Sequence, residues 1–122
     1  MSQVVLLAAD KPLPLCSSDH GFHVSEHCYY RRATDELGYP IKPYQYELSL
    51  ERNEAGLRDL RAYLTRHFTP GEEVELWSIW LDNGLGHRPP HFCGSLADFD
   101  MDTLEQLLPP HKPGMCWLTI TT

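Results

Sequence analysis

The hydrophobic patterning of this chain predicts an α+β fold, with one mixed sheet carrying helices mainly on one face. Three observations lead there. Segments that alternate with a period of two are interleaved with segments of helical period. Two of the strand segments, Tyr44 to Leu50 and Glu72 to Leu81, keep a partly polar face, unlike strands sandwiched between two helix layers. Pro and Gly signals mark most of the element ends. The predicted order is β-α-β-α-β-(β)-α-β, a four- to five-stranded sheet with about three helices in a single two-layer domain spanning residues 1–122. This alternation favours crossover connections and some parallel pairing.

The first element, Gln3 to Ala9, is an unbroken apolar run closed by Asp-Lys-Pro-Leu-Pro, which suits a buried strand and a turn. The pattern allows a short strand at Phe22 to Val24, with Phe22 and Val24 on one face and His23 on the other. Ser25 reads as an N-cap, placing a helix from about Glu26 to Leu37 with Tyr29, Ala33 and Leu37 as its stripe. Gly38 and Pro40 then end it. In "YQYELSL", Tyr44, Tyr46, Leu48 and Leu50 share a face. Asn53 caps a second helix, Glu54 favours its positive end, and Leu57, Leu60, Leu64 and Phe68 form its buried stripe.

Glu72 to Leu81 places Val74, Leu76 and Trp80 on one side, and Glu73, Glu75, Trp77, Ile79 and Leu81 on the other. Gly and Pro residues between Leu85 and Gly94 leave room only for a short edge strand at His91 to Gly94. Asp100 caps a third helix, Met101 to Leu108, with Phe99 and Leu104 placed to form a hydrophobic staple. The last strand, Met115 to Thr122, puts Cys116, Leu118 and Ile120 opposite Trp117 and Thr119.

Charge narrows the function classes. Seventeen acidic residues stand against ten Lys and Arg, a net charge of −7. Binding a phosphate backbone needs a concentrated cationic surface, so nucleic acid and anionic membranes are disfavoured as partners, whereas a protein partner is compatible. The apolar run from Val4 to Ala9 is six residues long and lacks a basic flank, so it reads as neither a membrane span nor a secretory signal. The expected location is cytoplasmic. The four cysteines are then expected as thiols, and none of them forms a C-x-x-C pair. Phosphate-cradling glycine motifs are absent.

Two clusters carry ligand-type residues. The first is Cys16, His20, His23, His27 and Cys28. Zinc or another transition metal takes such groups, but the Ser25 cap would split them between a loop and a helix. The second is His87, Arg88, His91, Cys93 and Ser95. In a strand His91 and Cys93 share a face, so His91 could serve Cys93 as a base. A shared metal site would draw on His20, His23, His27, His87, His91 and Cys93, and forms only if the fold brings both segments together. Glu72, Glu73 and Glu75, with Glu47, read most simply as a solvated strand face.

Tyr30 and Tyr39 fit the helical stripe poorly, and Trp77 and Trp117 share the second sheet face. With Arg88 they are the candidate contact residues, because aromatics combine large apolar area with a polar tip. The leading expectation is a non-enzymatic interaction or regulatory domain without a cofactor, using an uncovered part of the sheet or the 82–95 segment. A metal-binding protein or metallohydrolase is the second reading, and a thiol enzyme using Cys93 the third.

Overall fold

The computed structural model describes residues 3–18, 21–27, 31–36, 38–80, 90–107 and 116–122. Seven strands form one sheet: β1 Gln3–Ala9, β2 Cys16–Ser17, β3 His23–Glu26, β4 Tyr44–Ser49, β5 Glu73–Trp80, β6 His91–Ser95 and β7 Cys116–Thr121. Among the described residues three helices accompany them, α1 Arg31–Glu36, α2 Glu54–His67 and α3 Met101–Leu107, with a 3-10 turn at Leu96–Asp98. The sheet order is β2-β3-β4-β1-β5-β7-β6. Among the described residues only β6 and β7 pair in parallel, and every other neighbouring pair is antiparallel. Among the described residues no helix is long and apolar enough to cross a membrane.

The expectation of a mixed sheet with three helices therefore holds, but its four to five strands and its order do not. The two additional strands explain the difference. β2 has two residues, and in β3 only Val24 is buried. The short strand allowed at Phe22 to Val24 falls on β3, whereas β2 is held by backbone hydrogen bonds to β3 and leaves no hydrophobic period to read. Ser25 is accordingly not a helix cap, and Glu26 does not open a helix. Ser25 lies within β3 opposite Glu47, and Glu26 opposite Tyr46. The expected stripe residues Tyr29 and Leu37, and Cys28 and Tyr30 beside them, lie outside the described residues.

The central position of β1 follows from its composition. Leu7 and Ala9 enter one core with Val74, Leu76, Leu118 and Ile120, while Val4, Leu6 and Ala8 enter a second with Trp77 and Ile79. An apolar run without alternation belongs where both faces are covered. α2 covers the first face through Leu60, Tyr63 and Leu64, joined by Phe68 at its C-cap and by Phe99 and Leu104 of the α3 region. Full burial of a leucine such as Leu60 or Leu64 contributes about 1.5–3 kcal/mol.

Two of the three caps are as read from sequence: Gly56 N–H donates to Asn53 Oδ1 at 3.0 Å, and Thr103 N–H to Asp100 Oδ1 at 3.0 Å. Gly38 takes φ +71°, which a glycine adopts at little cost. The second face is packed by Tyr39, Ile41 and Trp117, so the segment 38–43 acts as its lid.

Candidate functional site

Strand register builds two parallel rows of side chains across this second face. In one row Leu6 stands opposite Trp77, Trp77 opposite Trp117, and Trp117 opposite His91. In the other, Ala8 stands opposite Glu75, Glu75 opposite Thr119, and Thr119 opposite Cys93. Neighbouring strands are only ~4.8 Å apart, so planar side chains in register are brought to stacking distance.

The first row is a ladder of rings. Trp77 and Trp117 stack with centroids 4.4 Å apart and planes 13° from parallel. His91 stacks on Trp117 at 3.8 Å and 14°. Tyr39 stacks on Trp77 at 5.7 Å and 14°, closing the inner end. Trp77 is fully buried, Trp117 half-buried and His91 exposed. The ladder therefore runs from the core to the rim of the sheet.

The second row satisfies the polar atoms of the first. The Glu75 carboxylate accepts from Trp77 Nε1 at 3.1 Å, from Trp117 Nε1 at 3.2 Å and from the Lys42 backbone N–H at 2.9 Å. A carboxylate that is only 5% exposed is tolerable because these donors replace its water. The solvated-face reading thus holds for Glu73, which is exposed, and fails for Glu75. The bond to Lys42 also ties down the lid, which the 2.7 Å Lys42 Nζ–Asp10 ion pair fixes at the surface. Thr119 Oγ1 lies 2.8 Å from His91 Nε2, and Cys93 Sγ is 3.7 Å from the same nitrogen.

β6 ends the sheet, and among the described residues it pairs with β7 alone. Trp117 N–H donates to Pro90 O at 2.9 Å, which sets the backbone alternation. Phe92 then shares the β7 side with Pro90, and the amide groups of His91 and Cys93 point off the sheet. Side chains alternate as well. His91 and Cys93 lie on the ladder face, and Phe92 on the helix face, 51% exposed. There it borders a cleft of about 290 Å³ whose walls include Ser95, Asp98, Phe99, Thr103 and Gln106.

The other predicted residues are elsewhere. His23 lies on β3, where Nδ1 is 2.8 Å from Ser17 Oγ of β2. His27 is buried, with Nε2 2.8 Å from Thr34 Oγ1 and Nδ1 3.7 Å from Glu47 Oε2. β3 and β6 are separated by five strand intervals, on the order of 24 Å. His23 and His27 therefore do not meet His91 and Cys93 in one site. Among the described residues no three His, Cys, Asp or Glu side chains converge to hold a metal ion. His20, His87, Arg88 and Tyr30 lie outside the described residues.

Of the candidates, Tyr39, Trp77, Trp117, His91 and Cys93 come together. Glu75 and Thr119 are the members missed from sequence. The alternation put both on this face, and the signal for Glu75 was an acidic residue between apolar neighbours in a strand that turns fully apolar. The thiols differ in environment: Cys93 is exposed, whereas burial pushes the Cys116 thiol up to about 11. No known protein family, curated protein or solved structure matches this chain.

Proposed function

We propose that this protein is an interaction domain that captures an extended segment of a partner protein by strand addition along β6. The observation that carries this reading is the edge strand itself. The sequence His-Phe-Cys-Gly-Ser contains no charged residue and no proline, the usual protections of a sheet edge. It is five residues long, against two for β2 at the opposite edge. The outward amides of His91 and Cys93 supply main-chain bonds, and the Phe92 cleft supplies a pocket for an alternate side chain. The role is non-enzymatic and needs no cofactor.

The test uses the alternation. Cys93→Pro removes an outward N–H while leaving the bonds of Phe92 and Gly94 to β7 in place. Affinity capture from the native host should recover a partner with the wild-type chain, and lose it with C93P of unchanged circular dichroism. Recovery of the same partner by both forms sinks the reading. Hydrogen exchange supplies the positive control, since His91 and Cys93 amides become protected when a partner strand pairs.

A further inference from the structure

We infer that the segment taken up along β6 presents an aromatic side chain beside His91, with an apolar residue next to it in sequence and lysine or arginine flanking both. The inference rests on the strand-addition reading and names the partner's chemistry.

Among the described residues the ring ladder ends at His91, at the rim of the sheet. Trp117 covers one face of the His91 ring at 3.8 Å, and the opposite face looks off the sheet beyond its last strand. An added strand would stand one more ~4.8 Å interval along the same direction. Its residue in register with His91 would then occupy the next rung, as His91 does for Trp117 and Trp117 does for Trp77. A planar ring continues the stack, whereas a branched aliphatic side chain cannot match its flat face.

The platform is fixed in advance. Both indole N–H groups are held by Glu75, and the His91 nitrogen lies within bonding distance of Thr119. Little ordering remains to oppose binding.

Alternation then places the adjacent residue of the partner on the helix face, over Phe92 and the 290 Å³ cleft. Charge supplies the flanks. Asp98, Asp100, Asp102 and Glu105 are exposed along the turn and α3, and residues 90–107 contain no Lys or Arg. Such a rim favours a basic segment and repels an acidic one.

The experiment uses the full chain and fluorescein-labelled peptides read by fluorescence polarisation. Each peptide alternates threonine and valine, is flanked by lysines, and carries tryptophan, phenylalanine or leucine at the centre between two valines. The aromatic centres should bind about 3- to 10-fold more tightly than leucine, the range expected for one aromatic pair. His91→Ala and His91→Gln should abolish that preference while leaving the leucine peptide's affinity in place. Replacing the lysine flanks with glutamate should weaken binding, with the difference shrinking as salt rises.

Equal affinities for aromatic and leucine centres, or a preference that survives both His91 variants, would overturn the inference while leaving strand addition standing. If no peptide binds and no amide of β6 becomes protected, strand addition fails along with it. Sedimentation of the free chain covers the remaining occupant. A dimer that C93P converts to monomer would assign the edge to a second copy and overturn the proposal.

Discussion

Removing the Glu75 carboxylate should unlock the lid and the ladder together. Three N–H groups lose their acceptor in Glu75→Ala: Trp77 Nε1, Trp117 Nε1 and the Lys42 amide, now bonded at 3.1, 3.2 and 2.9 Å. A buried donor left without a partner costs roughly 1–3 kcal/mol, and a partly wetted one nearer 1 kcal/mol. Only the Trp77 bond is fully buried, so the three losses sum to about 3–5 kcal/mol. Relief of the buried charge offsets part of this, leaving a net loss of about 3 kcal/mol.

Against a total of roughly 5–15 kcal/mol the variant should remain folded but clearly weakened. In urea, with a slope near 2 kcal/mol/M, the midpoint should fall by about 1.5 M at constant slope. Glu75→Gln keeps one acceptor oxygen but turns an amide N–H toward one of the donors, so it should fall between wild type and alanine. The circular dichroism of the stacked indoles should weaken in the same order. An E75A midpoint within about 0.3 M of wild type, or a glutamine variant less stable than alanine, would refute this account of the carboxylate.

Three further outcomes follow from particular contacts. Gly56→Ala should destabilise by at least about 2 kcal/mol in urea unfolding, although alanine is the better helix former by about 1 kcal/mol. The added Cβ would fall 1.9 Å from the Glu51 carbonyl oxygen, so backbone must move. Acid titration should reveal Glu72, whose carboxyl is held down to about 2 by the Thr69 N–H, with Lys11 and the Thr69 hydroxyl adding to it.

Because its folded pKa lies below the ordinary value of 4.5, its contribution is present above that pH and is lost as pH falls towards 2. Glu72→Gln should therefore flatten the stability profile in that window, and an unchanged acid limb would contradict it. With a disulfide reagent at pH 8, roughly the ordinary thiol range, Cys93→Ser should remove a fast-reacting thiol, whereas Cys116→Ser should leave the fast phase intact. Fast reaction at Cys116 would contradict its burial and its raised pKa of about 11.

Several features were legible because they depend on composition and period along the chain. The apolar run of β1 suited a buried strand, and the structure places it mid-sheet. Asn53 and Asp100 cap the helices they precede, since a cap is a local bond between side chain and nearby N–H. The faces of β5 and β7 divide as their alternation requires, Leu76 and Leu118 to one core and Trp77 to the other, with Trp117 packed against it.

β2 was not legible in this way, and β3 only in part, through the short strand allowed at Phe22 to Val24. Their residues are mostly polar, and the pairing energy lies in backbone bonds that every residue type can make. Ser25 suits an N-cap and a strand equally well, so only the presence of Glu47 across from it decides between them.

The sequence by itself determined which residues share a face, where two of the helices begin, and which chemical groups stand near the sheet's rim. It could not determine neighbours across strands. The Trp117 indole reaches Glu75 from 42 positions away, and His91 meets Thr119 across 28. Alternation has a period of two and fixes the face alone. The row a residue joins is set by the register of hydrogen bonds between distant segments, and a shift of two residues would preserve every face while dispersing the ladder. The tertiary structure made that choice: it aligned Trp77, Trp117 and His91, buried Glu75 beneath their N–H groups, and left β6 as the edge of the sheet.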